Sequence, residues 1–386
     1  MVRMCIAAAA LALAASVPLL AQAPAAPEAG QTAAQHYKNI QVLKDIPADE
    51  LIPAMRFIES ALGVECEFCH VQGNDPDRFS KDDKKEKGTA RDMMKMMKQI
   101  NDTSFEGRTE VTCATCHNGH SRPQAYAPMA TVESVKERLA EEQARPRPAP
   151  GQQPAAQAEP ARPALPTADQ LFARYEEAIG GDAAIGKLTS RHVVATMTSP
   201  VTGQTGKLEA LTKAPDLGWQ QTSNPRFTRT TGYDGKQAWE VARTTRALTG
   251  VDAQDVKLAA MFERNLRLKD QYGQARTFRK DKIGDKDVYI VRAAIKGGRY
   301  SDLLYFDANS GLLLRRTTFT RTVLGPIAVT TDFDNYQDFS GVKVATDLTQ
   351  TNSGNVIKIH LDQVQFNVPV EDAKFAMPAQ QQQPAK

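Results

Sequence analysis

Seven prolines fall within residues 144–166 (ARPRPAPGQQPAAQAEPARPALP). Each fixes φ and removes a backbone donor, so neither a helix nor a central strand can run through the segment. The 386-residue chain must therefore fold as separate parts on either side of an extended spacer. All five cysteines precede the spacer, together with helical patterns, whereas alternating apolar and polar segments follow it.

The start of the chain, MVRMCIAAAALALAASVPLLAQA, has one Arg, an apolar run and an Ala21-Gln22-Ala23 cleavage pattern. This reads as a secretory signal over residues 1–23, because Pro18 interrupts a run already short of the roughly 20 residues that a bilayer span needs. Export to the periplasm is the expectation, with Cys5 leaving in the signal and neither a lipid anchor nor a transmembrane anchor. Four cysteines then remain: Cys66, Cys69, Cys113 and Cys116. Residues 24–35 are expected to be a disordered tether, 36–128 a compact helical domain, 129–143 a short helix, and 379–386 a tail. A formal net charge of +3, from 48 basic and 45 acidic residues, excludes a nucleic-acid binder held by bulk charge.

Residues 167–378 read as a β-rich domain. A helix over Thr167–Ile179 closes at Gly180-Gly181, and another is expected over residues 252–266. The strands expected are Val193–Ser199, Lys207–Lys213, Lys286–Ala294, Ser301–Asp307, Leu312–Arg321, Val329–Phe333, Val342–Gln350 and Val356–Phe366. Short turns such as Asn309-Ser310-Gly311 make this one antiparallel sheet, strongly curved or closed into a barrel.

The four remaining cysteines form two Cys-x-x-Cys-His motifs, Cys66-Glu-Phe-Cys69-His70 and Cys113-Ala-Thr-Cys116-His117. In such a motif each thiol adds to a haem vinyl group and the adjacent His lies under the iron. A zinc site or two disulfides would use the same cysteines, but neither explains a His directly after both pairs. Two covalently bound c-type haems are the expectation, with His70 and His117 as proximal ligands. His120 reads as a surface loop residue.

The sixth ligand separates an electron carrier from a catalyst. The spacing predicts a helix over 49–63, with Asp49 as N-cap, Gly63 past the end, and Leu51, Met55, Ile58 and Leu62 on one face. Met55 is the one Met of that helix, placed where its sulfur reaches iron, although Met also fills cores well. A second helix over 84–101 carries Met93, Met94, Met96 and Met97. Met93, Met97 and Ile100 share a face and Met94 points away, and spacing alone does not choose among these methionines.

Residues 38–123 resemble the cytochrome c subunit of photosynthetic reaction centres. The resemblance rests on Met55 ahead of Leu62-Gly63 and Cys66-Glu-Phe-Cys69-His70, and on Ala90-Arg91-Asp92-Met93 with Ile100-Asn101. Val111-Thr112-Cys113-Ala-Thr-Cys116-His117-Asn-Gly119, running to Pro123, completes it. It implies that the helix Met is the distal ligand of the haem that follows: Met55 for the first and Met93 for the second, with Met96 the alternative. The best-known members carry four haems, and this chain has motifs for two. Residues 167–378 more distantly resemble the LolA-like carriers of lipoproteins and lipids. That likeness rests on Gly180-Gly181, Tyr233-Asp234-Gly235-Lys236, Tyr305-Phe306-Asp307 and Gly341-Val342-Lys343. It implies a half-open antiparallel barrel plugged by helices.

The fold class expected is a small all-α dihaem cytochrome c domain joined to an α+β, antiparallel half-barrel domain. The function expected is electron transfer between redox partner proteins, without substrate turnover, in the periplasm, either free or peripheral to the membrane. The alternatives are a dihaem peroxidase-like enzyme and a carrier of apolar cargo, held in the C-terminal domain, with the haems as redox sensor.

Overall fold

The computed structural model describes residues 30–124 and 165–379, less residues 74, 76, 226, 243, 298, 299, 353 and 354, together with a few positions between 135 and 142. The expected signal and nearly all of the proline spacer and the tail lie outside the described residues, as does the expected helix over 129–143 apart from the few described positions there, which are helical.

The helical region holds α1 (Ala33–His36), α2 (Leu51–Leu62), α3 (Lys85–Ser104) and α4 (Cys113–His117). The expected tether is ordered where it is described. Gln35 accepts from the backbone N–H of Thr32 at 2.8 Å, Ala33 is fully buried, and Thr32 bridges to Pro47. Alanine needs only a small recess, so even this polar stretch finds a place to dock. Asp49 does not cap α2. A 3₁₀ turn over Ala48–Glu50 leads into that helix, and the Asp49 carboxylate instead lies against Gly250 of the other region. Gly63, at φ 65°, ends α2 in the left-handed region that glycine adopts without strain.

Beyond the spacer, Thr167 caps the Ala168–Ile179 helix, its hydroxyl accepting from Gln170 N at 3.2 Å. Thirteen antiparallel strands are found among the described residues: β1 (Ser190–Thr198), β2 (Thr205–Lys213), β3 (Leu217–Asn224), β4 (Phe227–Tyr233), β5 (Ala238–Val241), β6 (Thr245–Ala247), β7 (Tyr272–Ile283), β8 (Lys286–Ile295), β9 (Tyr300–Asp307), β10 (Leu313–Thr322), β11 (Gly325–Phe339), β12 (Val342–Asn352) and β13 (Asn355–Phe366). They form one sheet in the order β6-β5-β4-β3-β2-β1-β13-β12-β11-β10-β9-β8-β7. Both ends are free, so the sheet is open rather than a closed barrel. Leu171, Phe172, Tyr175 and Ile179 of the Ala168–Ile179 helix pack on Leu304, Phe306, Leu313 and Phe333, forming the main core. A second helix (Gly250–Ala260) also covers the sheet.

The two regions meet directly. Leu324, in the β10–β11 turn, is 3% exposed and joins Ala54, Phe57, Ile58, Ala61 and Met94 in one cluster. The next residue, Gly325, lies under the Phe57 ring with no room for a Cβ. At the rim, Arg56 of α2 pairs with Asp252 at 2.9 Å. No helix among the described residues is long and apolar enough to cross a membrane.

Candidate haem-attachment site

Each Cys-x-x-Cys-His segment is wound into one helical turn. After Gly63 the chain runs extended into a 3₁₀ turn over Cys66–Phe68, where Cys66 O accepts from His70 N at 3.0 Å and Cys69 N at 3.3 Å. The second motif is α4 itself, opened by Thr112, whose N–H donates to Thr115 Oγ1 at 3.0 Å, and closed by Asn118 in the left-handed region at φ 46°. Positions i, i+3 and i+4 of one turn share a face, so each winding groups two thiols with an imidazole.

The turns are fixed against one another through α2. Gly119 N donates to Ala61 O at 2.9 Å, and a Cβ on Gly63 would overlap the Gly119 carbonyl. Cys113 packs against the cluster of α2 side chains. Asn101, 6% exposed, holds the approach to α4. Its Nδ2 donates to Val111 O at 2.7 Å, while its Oδ1 accepts from Glu110 N at 3.2 Å and Val111 N at 2.9 Å. On the other side, Asp82 meets both Lys87 and Arg91 at 3.0 Å, tying the loop after the first motif to α3.

The donor atoms suit a bound haem. His117 lies with Nδ1 2.9 Å from His120 O, a hydrogen bond that fixes the ring and leaves Nε2 available as a ligand. Burial, reinforced by Lys87, lowers the His70 pKa and keeps the ring neutral, as metal ligation requires. His70 meets the Phe79 ring edge-on at 5.2 Å, and its Nδ1 is buried without a hydrogen-bond partner. Burial, aided by a 2.7 Å contact with Glu59, pushes the Cys66 thiol up to about 11. Burial raises Cys69 and Cys113 as well. All four cysteines are unpaired, and among the described residues no group of three or more His, Cys, Asp or Glu side chains could hold a metal ion. Phe68, within the first motif, and Phe79, against His70, are 38% and 47% exposed, apolar surface that a porphyrin would cover.

Met55 lies half-buried against the α2 cluster. On α3 the face turned to the protein is Met94, at 8% exposure, with Met97 and Asn101. Met94, which the helical spacing points away, is thus the buried one, because Leu324 of the β10–β11 turn and α2 approach α3 from that side. Met93 and Met96 stand outward at 41% and 45% exposure. The placement of Asn101 follows from its spacing to Val111, but its bonding role was not legible without the loop it closes.

A sequence model of the family described as "Photosynthetic reaction centre cytochrome C subunit" matches residues 6–166. Over 105 residues the chain is 33% identical to the photosynthetic reaction center cytochrome c subunit of Thermochromatium tepidum, covering 26% of this chain and 25% of that protein. It is 33% identical over 101 residues to cytochrome c-554 of Chloroflexus aurantiacus, covering 24% of this chain and 23% of that protein. The chain thus spans about a quarter of the length of the curated relatives it matches. Among solved structures, a LolA superfamily protein from Nitrosomonas europaea aligns at TM-score 0.40 and 14% identity, covering 55% of this chain and 98% of that one. A DUF1329 family protein from Desulfovibrio piger aligns at TM-score 0.39 and 15% identity, covering 53% and 94%. The similarity of the helical region to reaction-centre cytochromes c is therefore a finding, and it supports covalently bound haem there.

Proposed function

We propose that this reaction-centre-like cytochrome c region makes the chain a periplasmic dihaem electron-transfer protein, exchanging electrons with redox partner proteins and turning over no substrate at iron. The observation that carries the reading is the convergence of both Cys-x-x-Cys-His turns on α2, the first through the 2.7 Å contact of Cys66 Sγ with Glu59, the second through Gly119 N to Ala61 O and Cys113 in the α2 cluster. When bound, haem c supplies reversible one-electron chemistry between ferrous and ferric iron. The protein's own residues do the rest. Cys66 and Cys69 fix one haem and Cys113 and Cys116 the other, as thioethers. His70 and His117 are the proximal ligands, and the His120 carbonyl orients the second imidazole. Met55 and Met93 are the distal ligands in this reading, and a His–Met pair raises the reduction potential and closes the iron to substrate.

One observation favours a second reading, a dihaem peroxidase-like enzyme. Met93 and Met96 stand outward and no packing fixes either sulfur over the second motif. If neither ligates, that iron keeps an open face. In a third reading the sheet region carries apolar cargo and the haems sense redox state; co-purified lipid or quinone would support it.

Mass spectrometry and near-red absorption of the purified protein separate these readings. Electron transfer requires two haems per chain and a sulfur-to-iron band accounting for both ferric haems. Met55→Ala and Met93→Ala should each turn one haem high-spin and lower its potential. An effect with Met96→Ala instead of Met93→Ala reassigns the ligand. A native high-spin haem that reacts with peroxide favours the enzyme, and a bare chain overturns both readings.

A further inference from the structure

The helix-covered face of the sheet changes character along its strands. Toward the Ala168–Ile179 helix it presents Leu304, Phe306 and Leu313, each fully buried and packed against that helix. The apolar surface that a lipid-like cargo needs is thus filled by the chain's own side chains. Farther along β10 the same face turns polar, with Thr318, Thr320 and Thr322 at alternate positions and Thr331 of β11 beside them. These residues line a cavity of about 740 Å³ between the sheet, α2 and the Gly250–Ala260 helix. That volume lies within the range of small-molecule sites.

The charges around the cavity select an occupant. Asp302 is fully buried, accepts from Tyr272 OH at 2.6 Å, and lies 3.5 Å from Arg264 Nη2 and 3.7 Å from Arg316 Nε. One carboxylate therefore serves two guanidinium groups, and Arg264 Nη1 is buried with no hydrogen-bond partner. Arg191 of β1 also lines the cavity, and its guanidinium has no hydrogen bond or ion pair among the described residues. Burial depresses its pKa, and no countercharge among the described residues offsets that effect. The acidic groups on the wall are already engaged or in water. Asp255 accepts from Tyr300 OH at 2.8 Å, Glu59 meets the Cys66 thiol, and Glu65 is exposed at the edge. Arg316 also donates to Asn265 Oδ1 at 2.7 Å, and Asp302 Oδ1 is buried without a partner, so the unengaged positive charge on the wall is that of Arg191.

We propose that this cavity binds a small hydroxylated organic carboxylate, its anionic head on the arginines and its hydroxyl groups on the threonine-lined wall. Planar guanidinium groups match a carboxylate through paired N–H donors, and threonine hydroxyls both donate to and accept from alcohols. The site is independent of the haem assignment, since no haem ligand named above takes part in holding the anion.

Isothermal titration of the full-length holoprotein with gluconate, hexanoate, inorganic phosphate and glucose tests the proposal. Gluconate should bind saturably at one site per chain and more tightly than the other three. Arg191→Gln should weaken it by about tenfold or more, the loss of a charge-assisted bond, without lowering the unfolding temperature, because the Arg191 side chain has no partner to lose among the described residues. Thr320→Val should weaken gluconate and leave hexanoate unchanged. Tighter binding of hexanoate would overturn the proposal in favour of apolar cargo. Equal binding of phosphate would reduce the site to a simple anion hole, and equal binding of glucose would remove the role of charge. Saturation by none of the probes, or unchanged gluconate binding in Arg191→Gln, also overturns it.

Discussion

The helical and sheet regions are built on different physical plans. The main sheet cluster gathers twenty-one buried residues among those described, from Ala168 to Ala345, while the helical cluster gathers six and borrows one of them, Leu324, from the sheet. Apolar burial contributes about 25 cal/mol per Å², so the first can order its chain unaided and the second has little with which to oppose its conformational entropy. The helical region instead offers free thiols, two motif imidazoles and exposed Met and Phe side chains, surfaces suited to enclosing something larger than themselves. A region with a thin core and a dense set of ligating groups is read better as a holder than as a self-sufficient fold.

The contrast can be broken most strongly at the second motif. Cys113→Ser with Cys116→Ser should remove one haem and abolish amide protection over residues 85–120, leaving residues 165–379 protected. Hydrogen exchange read by mass spectrometry checks this, and retained protection in α3 would mean that the helical region stands alone. Next comes Leu324→Ala, which should cost about 2–4 kcal/mol by removing a buried side chain shared between the regions. Its signature is loss of protection in α2 ahead of the sheet; a uniform loss would make the two parts one cooperative unit. Two glycines sharpen the comparison further. Gly63→Ala and Gly180→Ala each put a Cβ onto a carbonyl oxygen, of Gly119 and Gly341 respectively, at positive φ. Each should cost about 1–3 kcal/mol, the first seen in haem spectra and the second in the melting of the sheet. The smallest effect belongs to Arg56→Ala. Its pair with Asp252 is partly exposed and should contribute below about 1 kcal/mol in thermal unfolding, fading at high salt.

The sequence made the two regions legible to different depths. Motif spacing reports covalent chemistry, so the four cysteines and two histidines can be proposed as haem-attachment residues without knowing any packing. Helix ends were legible where a local group acts, as at Thr167 and Gly63, and not where a distant one competes, as when Gly250 draws Asp49 away from the start of α2. The apolar stripe chosen for α2 contained Ile58 but missed Phe57, whose burial depends on the β10–β11 turn. Met94 illustrates the same limit, since the face that a helix buries is decided by what arrives from elsewhere in the chain.

Among strands, β8 to β13 alternate clearly enough to be read, although β11 runs over Gly325–Phe339, well beyond Val329–Phe333. Strands β3 and β4, LGWQQTSN and FTRTTGY, have too few apolar residues to show period two. Strand β7 is a sheet edge carrying Arg276, Arg279, Lys280 and Lys282, charges that keep an edge from pairing with another chain and also hide it from pattern reading. The cavity was the least legible feature. Arg191, Arg264 and Arg316 lie far apart in the chain and are gathered only by the roll of the sheet under two helices.

The contact between Gly63 and Gly119 has a further consequence. Main chain presses on main chain there, with no side chain as spacer, so the separation of the two attachment turns is set by peptide dimensions. On the proposed dihaem reading, substitutions elsewhere on the surface change which protein docks while the gap an electron crosses inside the molecule stays the same.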